Sequence, residues 1–436
     1  MQYIPNIIFA LLLVVAVYFF AKSVKKIVRN IKLGKDVNRS DKKSERWTNM
    51  ARIAIGQSKM VRRPVSGFLH IIVYVGFIII NIEVLEIILD GLLGTHRLFL
   101  PVFGNGFYGF LIGSFEILAL LVLLAVIIFW TRRNVVKIKR FLNKEMTSWP
   151  KNDADIILYF EIVLMSLFLI MNATDSYLQQ EEIGNVISQF IAPWFSGLSQ
   201  ETIHFIERGA WWIHIVGILL FLNYLYYSKH LHILLAFPNT FFANLKPKGQ
   251  FKNNANVTKE VKVMMDPNAD PYAAPPEDVE EELVTFGAKD VTDLSWVNLL
   301  NAYTCTECGR CTSNCPANLT GKELSPRKIM MDTRDRLEEV GKNIDENNGV
   351  FKDDGKNLFD YITKEEIWAC TSCNACVETC PVDIDPLEII MDMRQYLVME
   401  ESNAPTELNN MMQNVENNGA PWPYSQMDRL NWVNEE

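Results

Sequence analysis

No cysteine occurs in the first 304 residues and none after residue 380. Histidine is scarce, with six in 436 residues, and no nucleotide-binding loop is found. A net charge of −9 removes nucleic acid from the partners. With no spare cysteine and no nucleotide loop, an autonomous reductase is disfavoured. What is present is concentrated. All eight cysteines fall in two runs, Cys305-Thr-Glu-Cys308-Gly-Arg-Cys311-Thr-Ser-Asn-Cys315-Pro316 and Cys370-Thr-Ser-Cys373-Asn-Ala-Cys376-Val-Glu-Thr-Cys380-Pro381.

In each run three closely spaced thiolates can hold three irons of a [4Fe–4S] cube, and the fourth cysteine, followed by proline, ligates the other cube. The expected sets are therefore Cys305, Cys308, Cys311 and Cys380 for the first cluster, and Cys370, Cys373, Cys376 and Cys315 for the second. Structural zinc would want separated two-cysteine knuckles rather than four thiolates in eleven residues. Disulfides do not suit the reducing compartment argued below. Neither cube has a free iron site, so the pair is a wire for electrons.

Apolar runs near 5–21, 66–89, 109–130, 155–173 and 210–228 each approach the ~20 residues that cross a bilayer. The first lacks the basic start and small-residue cleavage site of a signal peptide. The expected fold is an all-α membrane bundle of five helices over residues 1–238. A linker at 239–290, a small α-helical dicluster ferredoxin-like domain at 291–400 and a tail at 401–436 follow it. Helices are expected at 325–339, 364–369 and 385–398.

The loops after helices one and three are rich in lysine and arginine, while the alternate loops hold little beyond Arg97 and Arg208. Basic loops stay inside, so the expected location is a bacterial inner (cytoplasmic) membrane. The N-terminus then lies outside and the cluster domain in the cytoplasm. Residues 22–33 read either as a basic amphipathic helix on the inner lipid surface or as a solvated charge run.

A haem inside a bundle needs imidazoles from two helices at one depth. His70, two turns into helix two, and His232, at the end of helix five, match. If helix five continues to His232, His214 lies on the same face five turns away and His230 points to the headgroups. A second haem would take His214 with His96 or His204 from the outer loops. Glu83, Glu86, Glu116 and Glu161 lie within apolar spans, where a carboxylate costs on the order of 3 kcal/mol and faces the bundle interior. The first three fall in the outer half and are the candidates for quinone and proton exchange, with helix-end polarity the plainer account of Glu86. Trp211 and Trp212 read first as an interfacial aromatic belt.

Trp211-Trp212-Ile213-His214 and Lys229-His230-Leu231-His232 make the helical part similar to the cytochrome b gamma subunit of respiratory nitrate reductase and to the membrane subunit of heterodisulfide reductase. Position 80 is isoleucine where the nitrate reductase family has a second histidine in helix two. Cys305-Thr-Glu-Cys308-Gly-Arg-Cys311, Thr320-Gly-Lys322 and Leu324-Ser-Pro326 resemble heterodisulfide reductase-like proteins and the membrane dehydrogenase for electron-transfer flavoprotein. In fused relatives a cysteine-rich catalytic module follows a segment like 414–419, Pro421, Arg429 and Trp432. The resemblance implies that this module belongs to a separate cytoplasmic subunit docked on the cluster domain and the tail, which collects electrons from electron-transfer flavoprotein or a small organic donor.

The expected function is thus electron transfer between a cytoplasmic redox partner and the quinone pool, through two clusters and b-type haem. The alternative is a membrane anchor subunit whose clusters are structural.

Overall fold

A computed structural model describes residues 3–268 and 285–434. Five helices are long and apolar enough to cross a membrane: α1 (Ile4–Ile31), α2 (Pro64–Leu93), α3 (Phe99–Asn134), α4 (Trp149–Thr174) and α5 (Gln200–Tyr224). They form a closed ring in which α1 packs on α2 and α5, and α3 and α4 complete the circuit. No strand occurs among the described residues. The expected all-α membrane bundle with a helical dicluster region behind it is what is found.

Local chemistry sets the helix ends. Pro5, Pro64 and Pro150 occupy first turns, where a missing N–H costs nothing. Gly94 closes α2 in the left-handed conformation (φ 74°), its N–H bonding the Asp90 carbonyl at 2.8 Å. Gly104 (φ 72°, ψ 160°) breaks α3 into a short outer piece and the long span. Inside the ring Phe9 stacks against Trp211 and Trp212, with ring centres 5.6 and 6.1 Å apart, where Gly91 admits its ring. Trp211 is therefore buried in the bundle, and the aromatic-belt reading of it fails.

Residues 22–33 also depart from expectation. They continue α1 to Ile31 and dock on the cluster domain instead of lying on lipid. Lys26 Nζ donates to Asp345 at 2.7 Å, Arg29 pairs with the same carboxylate, and Asn30 Nδ2 donates to the Tyr303 hydroxyl at 2.8 Å. Lys26 and Arg29 are engaged by a protein surface, while Lys22, Lys25 and Lys32 stay exposed, as the solvated-charge reading expects. Lys35 then forms a parallel bridge with Ser295.

The cluster domain is built from α7 (Trp296–Thr304), α8 (Pro326–Glu346) and α9 (Pro386–Met399), preceded by a short α6 (His232–Phe241) leaving the bundle. Pro326–Glu346 and Pro386–Met399, with the short helix Lys364–Trp368 between them, match the helices expected from periodicity, whereas Trp296–Thr304 was not expected. Their apolar core is continuous with the end of the bundle, joining Leu299, Leu337 and Ile389 to Ile27, Phe221 and Leu231. The ends of the expected linker are fixed. Asn239 Nδ2 donates to the Val382 carbonyl at 2.7 Å, and the Ala288 N–H to the Asp392 carbonyl at 2.9 Å. Its middle, 269–284, lies outside the described residues. Beyond Glu401, α10 (Thr406–Asn418) buries nothing, and Trp422, Met427 and Trp432 are exposed.

Candidate functional site

The two cysteine runs approach each other at the end of the bundle that carries the basic loops. Cys305, Cys308, Cys311, Cys376 and Cys380 line one cavity. The electrostatic neighbours of Cys380 include Cys308 and Cys305, whereas Cys370 and Cys376 both have Cys315. The structure thus brings Cys380 to Cys305, Cys308 and Cys311, and Cys315 to Cys370 and Cys376. All eight thiols are free, and Cys373 reaches solvent. Burial pushes the Cys305 thiol up to about 11 and Cys380 up to about 12, so iron must displace protons to bind. Among the described residues no three acidic, histidine or cysteine groups converge on a single metal ion.

Glu307, inside the first run, is buried and held by Arg334 Nη1 at 2.8 Å and by Lys229. Burial alone would raise its carboxyl, but Lys229 and Arg334 outweigh it and hold it below the usual range. Lys229 belongs to the turn that ends the bundle. Its ammonium also donates to the Pro150 carbonyl at 2.6 Å, and its carbonyl lies 3.1 Å from His232 Nδ1. With Nδ1–H donating there, Nε2 of His232 keeps a free lone pair.

His232 faces His70, with ring centres 6.5 Å apart. Two metal–nitrogen bonds of about 2 Å on opposite sides of one metal fit in that gap. His70 Nδ1 is buried without a partner. The expectation for His230 is overturned. Helix five does not continue to His232, because Ser228 is extended (φ −113°, ψ 143°) and a tight turn follows. His230 therefore turns inward, 5.4 Å from the His232 ring and 5.4 Å from Phe221. The five-turn spacing to His214 is lost for the same reason.

The opposite end of the bundle holds a second polar centre. Arg97 is buried and donates to Glu83 Oε1 at 2.5 Å, Asn172 Oδ1 at 2.8 Å and Asp175 Oδ2 at 3.2 Å. Glu86 accepts from the Phe99 N–H at 2.7 Å and the Tyr108 hydroxyl at 2.8 Å. Glu116 accepts from Asn172 Nδ2 and from the N–H groups of Ile187 and Ser188 at 3.1, 2.8 and 3.0 Å. Glu83 and Glu86 line a cavity of about 300 Å³ with Phe9, Asp90, His96, Glu207, Arg208, Trp211 and Trp212. Glu116 does not line it, and Glu83 Oε2 has no partner.

The outer histidines are not gathered. His96 Nε2 lies 3.2 Å from Asp175, and His204 pairs with Glu207 at 3.8 Å from an exposed position. His214 Nδ1 lies 3.0 Å from the Leu164 carbonyl, with its ring against Phe168. Sequence reasoning passed over Arg97, although it was one of two basic residues left in an outer loop, and that isolation was the available signal.

Residues 304–384 match the 4Fe–4S dicluster domain family. Over 98% of its length the chain is 29% identical to a probable iron–sulfur-binding oxidoreductase, FadF, of Bacillus subtilis, covering 61% of that protein. It is 25% identical to the EtfAB:quinone oxidoreductase of Syntrophomonas wolfei, over 92% of this chain and 55% of the relative. An iron–sulfur subunit of the CoB–CoM heterodisulfide reductase of Methanocaldococcus jannaschii is 32% identical over 23% of this chain and 42% of its own. The chain spans less than two thirds of the length of the first two. No solved structure matches. The chain thus carries a 4Fe–4S dicluster domain behind five helices long and apolar enough to cross a membrane, and it is similar to iron–sulfur and quinone-linked oxidoreductases.

Proposed function

We propose that this chain passes electrons between a redox partner and the quinone pool through two [4Fe–4S] clusters and one b-type haem, as a subunit of a membrane oxidoreductase. The observation that carries the reading is a half-buried pair of facing histidines, His70 and His232, with the helix of His70 tied to a cysteine cavity by Arg310. Arg310 in that cavity donates to the carbonyls of Lys59 and Met60 at 3.1 and 3.2 Å, just ahead of the helix that bears His70. His70 and His232 would hold the haem iron, and the Lys229 carbonyl would fix the His232 tautomer. When bound, the haem supplies a one-electron carrier between the clusters and quinone. His214 and His96 each have their own partners and are not assigned a second haem.

The quinone headgroup is assigned to the outer cavity, with the free Glu83 oxygen and Glu86 as its proton exchangers. Glu116, consumed by three donors, is an architectural residue. Orientation follows the basic loops, with the cluster domain in the cytoplasm and the N-terminus outside a bacterial cytoplasmic membrane. The exposed aromatic tail fits a cytoplasmic partner that carries a cysteine-rich module and takes electrons from electron-transfer flavoprotein. An optical spectrum before and after dithionite, with iron and haem quantified, tests the reading. About eight irons and a haem alpha band are expected, and a spectrum lacking that band after haem supplementation rejects the haem. Truncation after Glu401 should keep both cofactors and release the partner.

A further inference from the structure

Arg310 lines the cysteine cavity, and two further guanidinium groups from separate parts of the chain, Arg63 and Arg140, are its charged neighbours. Arg63 comes from the loop before α2, Arg140 from the loop between α3 and α4, and Arg310 from between Cys308 and Cys311. Arg63 Nη2 donates to Ser313 Oγ at 2.7 Å. Arg310 is buried and directs its donors to the Lys59 and Met60 carbonyls and, at 2.8 Å, the Met60 sulfur. Arg140 lies over the Phe141 ring at 4.9 Å, its backbone carbonyl is against Gly309, and its Nε is buried without a partner. None of the three pairs with a carboxylate among the described residues. The charged neighbours of Arg310 are Cys308, Cys380 and Arg63, and those of Arg140 are Cys308 and the arginines 63, 310 and 132.

Cations gathered without an anion, Arg310 buried and Arg63 and Arg140 half-buried, are unfavourable, because each loses part of its hydration and repels the others. A cube bound by four thiolates carries the missing negative charge. The other cysteine set differs. Arg394 stands beside Cys370, but Asp385 stands beside Cys376 and offsets it. Glu307, the acid nearest Cys305, is already matched by Lys229 and Arg334.

We infer that Arg63, Arg140 and Arg310 form a cationic cradle that makes the cluster on Cys305, Cys308, Cys311 and Cys380 the more easily reduced of the two, so that electrons run from the Cys373 side toward the bundle. The inference rests on the two-cluster reading. Added negative charge on a cube is stabilised by nearby fixed positive charge, one of the protein's levers on cluster potential. In the step itself one electron leaves the solvent-side cube and enters the bundle-side cube. No bond or proton changes, and a reduced flavin or dithiol on the partner refills the first cube.

The test is an EPR-monitored redox titration of the full chain in detergent, with dithionite as reductant. Two midpoint potentials are expected. R310Q and R140Q should each lower the higher one and leave the lower in place, R310K should restore it, and R394Q should lower only the lower one. R63Q, at a half-buried site, gives the same test where R310Q fails to fold. A lower-potential signal that responds to R310Q, or an unchanged gap in both R310Q and R63Q at full iron content, overturns the cradle. Wild-type iron well below about eight per chain removes the two-cluster reading, and the inference with it.

Discussion

The two polar centres at opposite ends of the bundle are built on opposite principles. The outer one closes on itself: Arg97 meets Glu83, Asp175 and Asn172, and Glu86 and Glu116 find backbone and side-chain donors, so that a single carboxylate oxygen is left over. The inner one does not close. It presents free thiols, His70 with an unpartnered Nδ1, and arginines with no acid opposite them. A network satisfied by the chain's own residues has an architectural role, and a ligand can only borrow its spare oxygen. A centre whose charges are unmatched is the imprint of something bound, because a buried polar group without a partner costs about 1–3 kcal/mol and a buried charge more.

The largest break in that contrast comes from the cysteines. C315S should abolish the cluster otherwise held by Cys370, Cys373 and Cys376 and lower iron by up to about half, whereas loss of only the neighbouring cluster would refute the crossed sets. Iron analysis with EPR reads this directly. Next, H70A and H232A should each remove the haem alpha band while iron stays unchanged. H230A, though only 5.4 Å away, should keep the band, because on the proposed reading His70 and His232 would hold the iron. At the outer end, R97L should leave every cofactor in place and cost about 3–5 kcal/mol, since it strands buried carboxylates. Thermal unfolding in detergent measures it, and a loss of cofactor with unchanged stability would reverse the assignment of roles.

Much of this was legible in the sequence. The five spans and the helices Pro326–Glu346, Lys364–Trp368 and Pro386–Met399 follow from hydropathy and periodicity, and His70 does face His232, although the five-turn spacing that favoured His232 over His230 is lost. What escaped depends on non-local geometry. The turn at Ser228 rotates His230 inward, and the Ser228-Lys-His-Leu-His run carries no glycine or proline to announce it. Lys26 and Arg29 serve protein docking because Asp345 and Tyr303, more than 270 positions away in the chain, happen to lie opposite. A topology rule counts such lysines and arginines correctly as lying on one side, yet cannot see that a folded domain covers some of them. Glu116 and Trp211 were visible as polar and aromatic residues in apolar spans, but their donors and neighbours come from other helices.

The smallest expected effect is at that docking contact. Asp345 accepts from Lys26 and Arg29 across the junction of α1 and α8. The bond from Lys26, with Arg29 adding to it against the opposing effect of partial burial, holds the carboxyl below its ordinary value. A carboxylate whose pKa is lowered on folding stabilises the protein above its unfolded pKa, and that contribution is lost as pH falls through the lowered value. The side chains stay about a third exposed, so solvent and salt screen the attraction and D345N should cost less than about 1 kcal/mol. The difference between wild type and D345N should shrink below about pH 4 and at high ionic strength. Because α1 reaches both polar centres, Phe9 at one end and Asn30 at the other, loosening this contact should leave the outer network intact. If D345N instead disturbed the outer network as strongly as R97L does, the two centres would be one cooperative unit and the contrast between them would fail.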